Sequence, residues 1–183
     1  MSKAKLLSFV APGLLVAVLS SQASAATVTG SMSVSLTIPA ACTLSVSQNI
    51  NFGSQSPASS TTIQAGTTSG TTNGLLAVNC RRQATAVVVT LASGSTSSSS
   101  GGNMSNGSVT QPYLLYLPSN TTFGNAGLGT CAYASPTAWP GTGLSLTWST
   151  SGNQNIAVCA TTTIDQNTQA GSYSDTVNVT VTY

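Results

Sequence analysis

Two stretches of this chain alternate between apolar and small polar residues, and a period of two is the signature of extended strand. In residues 27–38 the even positions carry Val28, Gly30, Met32, Val34, Leu36 and Ile38, while the odd ones carry Thr29, Ser31, Ser33, Ser35 and Thr37. Near the other end, Val177, Val179, Val181 and Tyr183 alternate with Thr176, Asn178, Thr180 and Thr182. No segment between them sustains a helical period with caps. Runs of β-branched and aromatic residues at 44–52, 75–80, 86–91, 113–117, 144–148 and 156–164 are divided by Gly, Ser, Asn and Pro clusters. Short, evenly punctuated strands of this kind point to an all-β sandwich or barrel. Residues 92–107 are Ser- and Gly-rich, with Met104 their one packing residue, and read as a solvated, mobile loop.

Charge is almost absent. Lys3, Lys5, Arg81, Arg82, Asp165 and Asp175 are the only charged side chains, and the chain has neither Glu nor His. Its 30 Ser and 28 Thr must supply the polarity that charge usually supplies. General acid–base catalysis lacks its usual side chains, so an enzyme is not expected. Nucleic acid is not expected as a partner, because phosphate binding needs a basic surface. Asp165 and Asp175 fall short of the six or more oxygens of a calcium site, so no metal or other cofactor is expected. Gly124, Gly127 and Gly129 read as a turn, and Arg81-Arg82 as an exposed pair. Trp139, Trp148, Tyr113 and Tyr116 could form a sugar-stacking platform, but large aromatics in a sandwich more commonly fill the core.

Lys3 and Lys5 precede an apolar run at 6–19, and Ala23-Ser24-Ala25 follows as a small-residue cleavage site. Residues 1–25 therefore read as a secretory signal peptide. Residues 26–183 keep two Arg and two Asp, a formal charge of zero that protects poorly against association. Cys42, Cys80, Cys131 and Cys159 in an exported chain imply two disulfides, and their spacing matches no zinc site. Of the three possible pairings, Cys42–Cys80 with Cys131–Cys159 is expected, closing two moderate loops.

Several local motifs occur in a fixed order: Ala41-Cys42, Asn51-Phe52-Gly53, Val78-Asn79-Cys80, Pro112-Tyr113-Leu114-Leu115-Tyr116, and the ending from Ala170 to Tyr183. In these the chain resembles the spore coat protein U family, which includes the major pilins of archaic chaperone–usher pili of the Csu type. The resemblance implies an incomplete immunoglobulin-like sandwich lacking its last strand, with an N-terminal donor-strand extension. It divides the chain into a signal peptide (1–25), an extension and hinge broken at Pro39 (26–41), and the sandwich domain (42–183). Val28, Gly30, Met32, Val34, Leu36 and Ile38 would be the donor strand; Val177, Val179, Val181 and Tyr183 would border the acceptor groove, since the alternation runs to Tyr183 with no further strand after it. The implied partners are identical or related subunits, a periplasmic chaperone and an outer-membrane usher, with no small-molecule substrate. The implied role is a shaft subunit of a surface pilus serving attachment and biofilm formation. The rivals are a minor or tip adhesin that binds a surface or glycan, and a coat or matrix protein.

Overall fold

A computed structural model describes residues 26–56, 59–67, 69–81, 86–148 and 150–183. The expected signal peptide, Arg82 and Ser149 lie outside the described residues. The chain divides into two units between Thr37 and Ile38. In the first, residues 26–37 carry no hydrogen-bonded secondary structure and are exposed throughout.

The second unit is built of strand. Its elements are β1 (Cys42–Gln48), β2 (Thr61–Gln64), β3 (Gly74–Cys80), β4 (Ala86–Ser93), β5 (Gly101–Ser105), β6 (Thr110–Tyr116), β7 (Leu144–Thr147), β8 (Gly152–Ile164) and β9 (Val177–Thr182). One sheet runs β1-β3-β8-β6-β5, with β2 also paired to β8; the other runs β7-β4-β9. Every pairing is antiparallel. The two sheets share one core. Leu76 and Val78 of β3, Leu115 of β6 and Ile156 of β8 pack with Val87 and Val89 of β4 and Leu146 of β7. Trp139, Trp148 and Tyr113 are buried in it, so these aromatics are core rather than platform, while Tyr116 is half-buried. The expected turn at Gly124–Gly129 contains one 3-10 helix (Ala126–Gly129), capped by Asn125 Oδ1, which accepts from Gly127 N at 2.8 Å.

Both disulfides join the expected partners. Cys42 and Cys80 are directly opposite one another on β1 and β3, with Cα atoms 4.1 Å apart, and so tie the first residue of one strand to the last of its neighbour. Cys131–Cys159 ties the 118–139 segment to the middle of β8. Closing loops of this length stabilises a fold by about 3–4 kcal/mol each in the chain-entropy picture.

The reading of residues 92–107 as a solvated loop is wrong. The segment contains β5, which pairs along its whole length with β6. Its glycines are what permit this. Gly101 has φ +147°, and a Cβ there would overlap the Tyr113 carbonyl oxygen; one at Gly102 would overlap Ser93 Oγ. Both glycines are buried and Met104 packs against the core, so a low-complexity composition here reflects close backbone approach rather than disorder. Gly101→Ala should therefore lower unfolding stability by about 2–3 kcal/mol, the cost of combined overlap and backbone strain. A urea midpoint unchanged within error would mean that β5 does not form.

Candidate functional site: two uncovered strand edges

In an antiparallel pair, residues directly opposite each other point to the same face. On β9, Val177, Val179 and Val181 lie opposite Ser93, Leu91 and Val89 of β4, and those three partners are buried. The valines pack against the core but are only partly buried, whereas Asn178, Thr180 and Thr182 are exposed. Tyr183 keeps the parity of the valines but lies just beyond the strand and is half-exposed. Only β4 is hydrogen-bonded to β9, whose other edge has no strand partner among the described residues.

β1 repeats the pattern on the opposite sheet. Leu44 and Val46 lie opposite Val78 and Leu76, both buried, so they too face the core side. Yet Leu44 is 36% exposed and Val46 54%. A core-facing Val can be this accessible only where the facing sheet supplies no strand to cover it. Register shifts between Val46 and Gln48; Gln48 still pairs with Leu75, and beyond it an isolated bridge joins Asn51 and Thr72. Ile50 and Phe52, beyond that shift, line a cavity of about 630 Å³ together with Met104, Tyr113 and Val177. Val177 of one sheet thus borders the same space as Ile50 and Phe52, which follow β1, and polar residues such as Gln111 and Asp175 complete the wall.

A single carboxylate fixes the start of β9. Asp175 Oδ2 accepts from Ser93 Oγ (2.7 Å), Ser95 Oγ (2.8 Å) and Tyr113 OH (2.7 Å), and Oδ1 accepts from Thr176 N (2.8 Å). Gly94 N donates to Thr176 O, and Ser105 and Ser174 exchange two backbone hydrogen bonds at 2.8 and 3.0 Å. The last residue of β4, the turn after it, β5 and β6 are thus all tied to the residues just before β9. Burial pushes the Asp175 carboxyl up, but the hydroxyls of Ser93, Tyr113 and Ser95 and the Thr176 N–H together outweigh it and hold the group below its ordinary value. Burial above all, with the neighbouring Asp175 charge, pushes Tyr113 up to about 12.

Sequence reasoning located β9 and its alternation. The structure adds Leu44 and Val46, legible as strand but not as uncovered strand, together with the cavity walls and Asp175. That last residue could have been suspected: it is one of two carboxylates in residues 26–183 and directly precedes the alternating segment. Val28, Met32, Val34, Leu36 and Ile38 of the expected donor strand are all exposed. Among the described residues, no three His, Cys, Asp or Glu side chains come together as a metal site.

The linkage between charge and fold has a definite sign. A depressed Asp175 pKa contributes stability that is present above the ordinary carboxylate value of about 3.9 and is lost as pH falls through the lower folded value. A raised Tyr113 contributes stability that is complete below about 10 and is lost as pH rises towards 12. Urea midpoints should be flat between roughly pH 5 and 9, fall on both sides, and lose most of the acid limb in Asp175→Asn, which should also cost about 1–2 kcal/mol at pH 7. An acid limb of unchanged shape in that variant would remove Asp175 from the network.

No curated protein matches the chain. Among solved structures, it is similar to the chaperone–tip adhesion subunit pre-assembly complex CsuC–CsuE from archaic chaperone–usher Csu pili of Acinetobacter baumannii, with 20% identity and a TM-score of 0.42. That match covers 80% of this chain but only 40% of the other, so the chain spans about two fifths of its structural relative. The model of the Spore Coat Protein U domain matches residues 28–180, nearly the whole described chain. The chain belongs to the Spore Coat Protein U family.

Proposed function

We propose that this protein is a structural pilus subunit that polymerises by donor-strand complementation, the extension of one copy occupying the uncovered edge of the next. The observation that carries this reading is a match of two exposures. The sandwich leaves Leu44 and Val46 exposed and Val177, Val179 and Val181 only partly buried, and the extension leaves Val28, 97% exposed, and its even-numbered neighbours without cover. Each is apolar on alternate residues, so one inserted strand meets the other at the same two-residue period. Burying Val28, Met32, Val34, Leu36 and Ile38 at ~1.5–3 kcal/mol each gives ~8–15 kcal/mol gross. New backbone hydrogen bonds along β9 add to this, and ordering the extension subtracts from it.

In this reading the subunit crosses the periplasm with a chaperone covering its open edge, passes an outer-membrane usher and ends in a surface fibre serving attachment. An extension and an open edge on the same chain suit a repeating shaft position. The family membership and the charge-poor, hydroxyl-rich composition support a structural role rather than catalysis.

The two faces of the extension provide the test. Val34→Asp and Leu36→Asp would bury a carboxylate without a partner, at a cost on the order of several kcal/mol per site. Ser33→Asp and Ser35→Asp put the same charge on the solvent side of the inserted strand. We expect multimer ladders on non-boiled gels of surface material to vanish for the even-numbered pair and persist for the odd-numbered pair. Equal loss in both pairs would mean that the extension does not insert as a half-buried strand.

A second measurement isolates the groove. Appending a copy of residues 27–38 behind Tyr183 through a flexible linker should give a soluble monomer that unfolds cooperatively, where the chain without it aggregates. Such a covered monomer would no longer accept a strand, and its failure to stay monomeric would count against the groove as the receiving site.

A further inference from the structure

A second cavity, of about 370 Å³, lies where β8 ends and β2 and β6 diverge from it. It adjoins the larger cavity, with which it shares Gln111, Ile164, Thr168, Gln169 and Tyr173, but its own wall is the more polar of the two. Gln111 of β6 forms part of the wall; 8% exposed, it donates through Nε2 to Thr163 O at 2.6 Å and to Thr162 Oγ1 at 3.1 Å. This holds the amide in one orientation, and its Oε1 accepts no hydrogen bond among the described residues. Asp165 is likewise held: Oδ1 accepts from Asn167 N at 2.9 Å and Thr168 Oγ1 at 3.2 Å, which leaves Oδ2 unused. Asn167 and Gln169, both exposed, also line the cavity, and their carboxamides have no internal partner among the described residues. Tyr173 and Pro112 add apolar surface, and the tyrosine is pinned by its hydroxyl, which donates to Gln169 O at 2.6 Å.

The wall therefore presents fixed acceptors, amide donors and one carboxylate around a small apolar surface, with no cationic side chain. Unspent polar groups, of which Gln111 and Asp165 are held in place by their other hydrogen bonds, select a ligand that can both donate and accept at close spacing. An anionic ligand would face Asp165 with nothing to offset its charge, and a calcium ion would lack enough oxygens. A polyol ring satisfies the set: adjacent hydroxyls can donate to Asp165 Oδ2 and Gln111 Oε1 while accepting from the carboxamides, and its C–H face can rest on Tyr173 or Pro112. The volume lies at the small end of ligand pockets.

We propose that this cavity binds an uncharged hexopyranose unit of a glycan. The inference does not depend on polymerisation. Single-site affinity for so small and open a site is on the order of millimolar, and repetition along a fibre would raise it by avidity.

The test uses the exported full-length chain and saturation-transfer NMR with four probes: the methyl glycosides of glucose, galactose and mannose, and N-acetylglucosamine, with glucuronate as the charged control. At least one neutral probe should receive saturation, glucuronate should receive less, and titration should give a millimolar Kd. Asp165→Asn, which keeps an acceptor for the local turn, should weaken binding by roughly tenfold, as expected for loss of a hydrogen bond to a charged group. Gln169→Ala, remote from the turn's hydrogen bonds through its side chain, should weaken it several-fold. Ser145→Ala on the outer face of β7 should leave it unchanged. Saturation of none of the four probes, equal binding of glucuronate, or affinity indifferent to both Asp165→Asn and Gln169→Ala would overturn the proposal.

Discussion

A sandwich is closed only when each core-facing side chain on an edge strand meets a strand across the gap, and β1 and β9 do not satisfy that condition. Among the described residues the core of the second unit is otherwise well satisfied, apart from Trp139 Nε1, which is buried without a hydrogen-bond partner. Central strands are paired on both sides, both disulfides are formed, and the core-facing residues of β3, β4, β6, β7 and β8 are buried. The defect is confined to one row of side chains on each sheet. Exposed apolar edges of this kind are normally blunted by Lys, Pro or a bulge. β9 carries none of these, and its free edge alternates Val with Asn and Thr. An edge left unprotected while the rest of the sandwich is complete is the physical basis for assigning it a partner.

Near-neutrality gives the few charges unusual weight. In an ordinary domain, one carboxylate among dozens seldom decides a local structure. Here Asp175 gathers three hydroxyls and a backbone N–H at the point where the chain crosses from one sheet to the other. Charge-assisted hydrogen bonds are roughly twice as strong as neutral ones, so a hydroxyl-rich chain can fix a crossover with a single ion. Asp165 uses the same chemistry more locally, closing a turn with Thr168 and leaving one oxygen to the cavity.

Much of this was legible in the sequence because strand alternation and cysteine pairing are local or nearly forced. The strands at 75–80, 86–91, 144–148 and 156–164 all form, each with some change of boundary, because β-branched runs between turn residues leave little alternative. β2 and β5 escaped notice for a physical reason. They are four and five residues long, and Gly101-Gly102-Asn103-Met104-Ser105 has no apolar alternation to betray it; its strand state is imposed by β6 and by the clearance that glycine gives. The site was half legible. Alternation reveals which side of β9 faces inwards, but not whether anything covers it. Leu44 and Val46 on β1 would read the same in a closed sandwich, since their exposure depends on a strand that the local sequence does not encode.

Under the proposed reading, the parity of residues 28–46 explains why the pattern is interrupted before β1. The even-numbered apolar series of residues 28–38 continues in register through Cys42, Leu44 and Val46, all of which face the core side of β1. Without interruption this would be one alternating strand of about nineteen residues, roughly 60 Å long, whereas strands of a sandwich typically run about five or six residues. Pro39 removes one ladder donor within this series and restricts the residue before it. Just beyond it, Cys42–Cys80 and the hydrogen bond from Arg81 N to Ala41 O fix where β1 begins. In the proposed reading this break leaves the apolar face of β1 with its own sheet and that of residues 28–38 available to another copy.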